Sequence, residues 1–232
     1  MSHRPKALVS WSSGKDSAFA LGEIRRAAQC DLVGLVTTVT EDFNRVSMHG
    51  VREELLDAQV ASLGIPCHKV RIPALCSNEI YEREMGRVLT DAKRSGVTQV
   101  VFGDLFLQDI RSYREARLAE LGLQGVFPLW MRDTARLAQE MLDAGMEAIL
   151  SCVDPRKLDA SFAGRRFDAA LLRDLPVGID PCGENGEFHT FASAGPMFKQ
   201  RIPVAVGEIV ERNGFVFADL LRAEAARPAA AP

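Results

Sequence analysis

Residues Ala7 to Ser17 read ALVSWSSGKDS: an apolar run closed by Ser10, a stretch of small residues, then Lys15, Asp16 and Ser17. A strand, a small-residue loop and a helix in that order turn backbone N–H groups and the positive end of a helix dipole toward one point, which makes an anion site. The small size of Ser12, Ser13 and Gly14 lets an oxyanion reach the backbone. The hydroxyls of Ser12, Ser13 and Ser17 add donors, and Lys15 adds a positive charge. This is not the GxxxxGK[ST] type of phosphate loop. Val9 stands where that loop needs its first glycine, and Asp16 stands where it needs Ser or Thr.

A second segment, Asp180 to Phe191, reads DPCGENGEFHTF. Its glycines permit a tight turn that brings Glu184 and Glu187 together, where they could meet an incoming ammonium, bind a cationic substrate or act as a base. His189 is a candidate proton shuttle near neutral pH, with a hydrogen-bonded strand histidine as its plain alternative. His49, in the loop segment SMHGVR, either contacts a ligand or caps the next helix. Trp130 and Phe188 could wall off a quaternary ammonium, although core packing accounts for each as well.

The positioning elements follow from the pattern of apolar residues. In the first half, short β-rich runs alternate with amphipathic stretches, as in a parallel sheet covered by helices. Strands are expected at Lys6–Trp11, Leu32–Val39, Cys67–Ile72, Gln99–Gly103 and Val126–Trp130. Helices are expected at Asp16–Ala28, around Leu56, Val60 and Leu63, at Asn78–Arg94 and at Asp109–Leu121. Beyond Trp130 come a helix at Asp133–Ala144, a strand at Glu147–Val153, a short helix at Asp168–Asp174, and a glycine-rich run from Gly178 to Thr190. Strands at Val204–Glu211 and Phe215–Asp219 flank Asn213-Gly214, a pair suited to a tight hairpin. The division expected is 1–125 for the domain that carries the anion loop, 126–222 for a smaller α+β substrate domain, and 223–232 for a frayed tail.

SSGKDS resembles the SGGxDS signature of the PP-loop ATP pyrophosphatases, with Ser13 in place of the first glycine. Taken with SMHGVR, with Gly103-Asp104 followed by YREAR and PLW, and with CGENGEFHT, it is similar to the diphthine–ammonia ligase family over residues 6 to 220. The resemblance implies a Rossmann-like α/β sheet of order 3-2-1-4-5 and makes 1–125 an ATP-binding domain, with an ATP whose β and γ phosphates leave as pyrophosphate. It implies adenine on the backbone of Thr37, Thr38 and Val39, and close nucleotide approach at Gly103. Asp16 and Asp104 are then the expected Mg²⁺ positions, and Arg114 the residue aimed at the α phosphate or a substrate carboxylate. A solvated basic stripe of Arg111, Arg114 and Arg117 explains the same spacing. The implied reaction joins ammonia or an amine to a carboxylate, which in the family is diphthine on elongation factor two. A carboxylate must first gain a leaving group, and a loop gripping β and γ phosphates supplies one by adenylation. Glu184, Glu187 and His189 would serve it across the cleft.

Composition restricts the alternatives. The chain has 232 residues, 47% hydrophobic and 25% charged, the balance of an ordinary globular protein. The N-terminus has no apolar core of a signal peptide, and no run approaches the ~18 apolar residues of a membrane span, so a cytoplasmic protein is expected. A net charge of -3 argues against general nucleic-acid binding. Five cysteines without a CxxC pair suggest free thiols. Cys182 inside the acidic motif raises the alternative of a tRNA sulfur transferase, and the broad fold that of an ATP sensor of the universal-stress type. A homodimer is the default assembly.

Overall fold

In a computed structural model, residues 4–223 are described; residues 224–232 of the expected tail lie outside them. The elements run β1 (Lys6–Ser10), α1 (Lys15–Ala27), β2 (Asp31–Thr40), β3 (Arg45–Val46), α2 (Glu53–Leu63), β4 (Cys67–Ile72), α3 (Asn78–Arg94), β5 (Val97–Val101), α4 (Gln108–Glu120) and β6 (Gln124–Val126). They continue with α5 (Thr134–Asp143), β7 (Glu147–Val153), α6 (Ala169–Asp174), β8 (Phe188–Ala194), β9 (Val204–Arg212) and β10 (Phe215–Arg222).

The parallel strands lie in the order β4-β2-β1-β5-β6. Counted among parallel strands alone, that is 3-2-1-4-5, as expected. β1 carries Ala7, Leu8 and Val9 fully buried, because helices cover both faces of a central strand. The order reverses between β1 and β5, and ligands of open α/β sheets collect at the carboxyl ends of strands there. A second sheet, β8-β7-β10-β9, is antiparallel throughout. One continuous set of buried side chains joins the two sheets, from Val9 and Leu35 through Leu21 and Leu56 to Leu150 and Phe191. The second sheet is therefore packed against the first by way of α1 and α2, which meet β8 and β10.

Three expectations need correction. The fifth parallel strand ends at Val126, not Trp130: Pro128 has no N–H for a ladder, and the chain turns there with Met131 at φ +57°. The glycine-rich run does not stay irregular, because it leads into β8, whose FHTFASA sequence is buried almost throughout and shows no polar alternation. The loop after β2 also contains β3, which folds back antiparallel so that Val46 pairs with Val39. The hairpin at Asn213-Gly214 forms as expected, with φ +52° and +77°.

Candidate active site

The phosphate loop bends sharply between β1 and α1, with Ser13 in the left-handed region at φ +68°. Gly14 precedes the helix and gives it no side-chain cap. The hydroxyls form a chain of their own: Ser12 Oγ lies 3.2 Å from Ser17 Oγ, and Ser17 Oγ donates to Gly14 O at 3.0 Å. Gly14 is needed for space, since a Cβ there would come within 2.9 Å of His49 Cε1.

β8 closes on this loop from the second sheet. Lys15 N–H donates to Thr190 Oγ1 at 3.0 Å, and Ala192 N–H donates to Ser13 O at 2.9 Å. Lys15 itself turns inward. Its ammonium, 1% exposed, bonds the Asp16 carboxylate at 2.9 Å and the Cys182 carbonyl, and sits over the rings of Phe167 and Phe188. Burial pulls its pKa down, but Asp16, with Cys182 and Asp180, more than offsets that, so the ammonium stays charged. The sequence reading gave Lys15 to the phosphates; the structure gives it to the junction between the loop and the acidic turn.

The other candidates fall into two groups. A cavity of about 700 Å³ is lined by Ser10, Ser12, Thr37, Thr38, His49, Arg114 and His189. His49 Nδ1 lies 3.0 Å from Thr190 O, and the His49 and His189 imidazoles lie with centroids 4.6 Å apart and planes tilted by 33°. Burial, and for His49 also the neighbouring His189, lowers their pKa values to about 3 and about 4, so both rings are neutral at physiological pH. Val39 is buried in the core below the cavity rim.

The second group is the carboxylates. Asp104 receives Arg114 Nε at 2.6 Å, and that guanidinium also stacks on Phe102. Glu184 accepts from Leu105 N–H at 2.7 Å and Phe106 N–H at 3.4 Å, which ties the acidic turn to the end of β5. Burial raises its pKa to about 7, with Asp16 and Asp104 adding repulsion. Glu187 is turned inward, 3% exposed, and one of its oxygens accepts from Asp180 N–H and Asn185 Nδ2. Gly103 admits the start of α1 rather than a ligand, since a Cβ there would lie 2.7 Å from the Asp16 carbonyl carbon.

Both aromatic candidates are already engaged. Phe188 packs against Lys15, and Trp130 with Phe127 holds the Arg111 guanidinium at 4.6 and 4.7 Å. The Cys182 thiol is pushed well up by burial, so it is a poor nucleophile. Sequence reading missed Met48 and Tyr81, and also Phe215 and Phe217, which line the cavity from the hairpin of the second sheet. Only the tertiary fold brings that hairpin to the parallel sheet. Among the described residues no group of three or more His, Cys, Asp or Glu is arranged to hold a metal, and no helix is long and apolar enough to cross a membrane.

Comparison with known proteins agrees with this two-sheet arrangement. The diphthamide synthase N-terminal domain model matches residues 5–125, and the diphthamide synthase C-terminal domain model matches 133–224. A diphthine–ammonia ligase of Rattus norvegicus is 26% identical over 93% of this chain and 88% of its own length. One of Danio rerio is 26% identical over 89% of each. One of Schizosaccharomyces pombe is 25% identical over 90% of this chain but only 37% of its own length. A solved structure, a predicted subunit of tRNA methyltransferase from Methanocaldococcus jannaschii, overlaps 85% of this chain at 13% identity and a TM-score of 0.43. With one family model covering the parallel sheet and the other the antiparallel one, the chain belongs to the diphthamide synthase family.

Proposed function

We propose that the protein is an ATP-dependent amide ligase of the AMP-forming kind. The acceptor carboxylate oxygen attacks the α phosphorus, the bond to the β phosphate breaks, and pyrophosphate leaves. An amine nitrogen, ammonia in the simplest case, then attacks the acyl carbon, AMP departs, and the nitrogen gives up a proton. The observation that carries this reading is the single cavity walled by the phosphate loop, the end of β2, Arg114 and His189.

In this scheme the remaining N–H groups at the start of α1 and the hydroxyls of Ser12 and Ser17 hold the leaving pyrophosphate, in the manner of preorganised donors. Arg114, fixed by Asp104 on one side and Phe102 beneath, presents its charge at the cavity wall to the α phosphate or the acceptor carboxylate. Glu184, with a pKa of about 7, takes the proton released by the amine. Neutral His189 serves as a hydrogen-bonding partner. A Mg²⁺ carried on the phosphates would be held by Asp16 and Asp104, through the lone pairs that Lys15 and Arg114 leave open on their oxygens. It would neutralise charge on the leaving group. The acceptor class is a carboxylate, with diphthine on elongation factor two the first candidate by kinship with the named ligases.

The test is product analysis. Incubation with ATP, Mg²⁺, ammonium and a panel of carboxylates should yield AMP and pyrophosphate in equal amounts, and Arg114→Ala should abolish both. Release of ADP and phosphate instead would refute adenylation.

A further inference from the structure

Ser13 holds a backbone conformation that a side chain disfavours, and its own hydroxyl does nothing to support it: Ser13 Oγ is buried with no hydrogen-bond partner. The support comes through its carbonyl. Ser13 O accepts from Ala192 N–H at 2.9 Å and from Gln59 Nε2 at 3.0 Å. Gln59 lies on α2, 0% exposed, on a helix face whose other buried members are mostly leucines. Every hydrogen-bonding group of its amide is used. The second Nε2 hydrogen goes to Ala192 O at 2.7 Å, and Oε1 accepts Trp11 Nε1–H at 2.9 Å. One amide thus ties together the end of β1, the crest of the phosphate loop and β8.

We propose that Gln59 is a positioning residue that holds the phosphate loop in its anion-binding shape, acting through Ser13. It is fully buried and does not touch the ligand. With that clamp gone, Ser13 relaxes toward negative φ, and the Gly14 and Asp16 N–H groups beside it, which Thr190 does not occupy, lose their common focus. This inference rests on the nucleotide-site reading and adds a claim about what sustains it.

The experiment measures binding of pyrophosphate and of adenosine separately, by calorimetry on the full chain, for Gln59→Met and for Gln59→Met with Ser13→Gly. Gln59→Met should weaken pyrophosphate by about tenfold or more and adenosine by less than about twofold, since a loop-positioning defect spares the β2 wall. Adding Ser13→Gly should restore most of the pyrophosphate affinity, because glycine takes the left-handed conformation unaided. A residue that merely supports the fold would move both ligands together and would gain nothing from the glycine. Equal losses, no loss, or no rescue would overturn the proposal. If Gln59→Met does not fold, Trp11→Phe removes the Trp11 anchor of the same amide together with one edge of the cavity lining, and should still weaken pyrophosphate more than adenosine; unchanged pyrophosphate affinity there counts against it equally. If the wild-type chain binds neither ligand, the nucleotide-site reading has failed, not this one alone.

Discussion

Asp219 offers the sharpest test of the contact between the two sheets. It sits on β10 and receives Arg45 Nη2 at 2.8 Å, Arg52 Nε at 2.9 Å and Arg52 Nη2 at 2.7 Å, from β3 and from the residue preceding α2. These bonds, those from Arg52 first, hold its carboxyl at about 2 instead of the ordinary 3.8. At about 1.36 kcal/mol per tenfold change, that gap corresponds to roughly 2.4 kcal/mol. Solvent reaches a carboxylate that is 18% exposed, so we expect about 2 kcal/mol. Because the folded pKa is the lower one, the stabilisation is complete above pH 3.8 and disappears as the pH falls through 2. Asp219→Asn keeps the shape and removes the charge. Thermal unfolding followed by circular dichroism at pH 7.5 should show a Tm lower by about 4–8 °C, at about 2–4 °C per kcal/mol for a chain of this size. The difference from wild type should hold between pH 7.5 and 5 and narrow below pH 4. A difference under about 1 °C at neutral pH, or one that persists undiminished at pH 3, would refute the reasoning.

Other outcomes follow from single residues. Ser13→Gly should raise stability by about 1–4 kcal/mol: it removes left-handed strain of about 1–2 and an unpaired buried hydroxyl of about 1–3, less about 0.5–1 for glycine's freedom when unfolded; a lower Tm would contradict this. Glu184, whose pKa is raised from 4.5 to about 7, favours folding when protonated, so wild-type stability should decline as the pH rises from 4.5 through 7. Glu184→Gln keeps an acceptor for Leu105 and Phe106 and should therefore be the more stable form at pH 8 but not at pH 5, as chemical denaturation at the two pH values can check. With their pKa values at about 3 and about 4, the His49 and His189 rings should not titrate between pH 5.5 and 8; a ring ¹⁵N shift assigned to either of these two residues that moves in that range would show the pair to be wrongly assigned as neutral. Arg111→Ala frees the Trp130 and Phe127 rings and should cost about 1–2 kcal/mol of stability, read in urea; no change would mean the stacking is idle.

Much of this architecture was legible because local and global signals agree. Buried β-branched runs bounded by glycine gave the parallel strands, and Cys67–Ile72, Asn78–Arg94 and Glu147–Val153 match the expected bounds. β8 was hidden because a strand covered on both faces has no polar alternation to reveal it. The site was legible as a set of residues but not as a geometry. Lys15 next to a phosphate loop reads as a phosphate ligand until Cys182 O, 167 residues away, is seen to accept a hydrogen bond from its ammonium. Gln59 gives no signal in the sequence, because the carbonyls it meets belong to segments 46 and 133 positions distant.

The placement of the two tryptophans gives the protein an optical probe of its own. Trp11 is 2% exposed, lines the cavity and is anchored by the amide that holds Ser13, while Trp130 lies against a guanidinium on α4. In a Trp130→Phe background all indole emission comes from the root of the phosphate loop. Filling of the cavity then becomes a fluorescence signal that needs no label and no turnover.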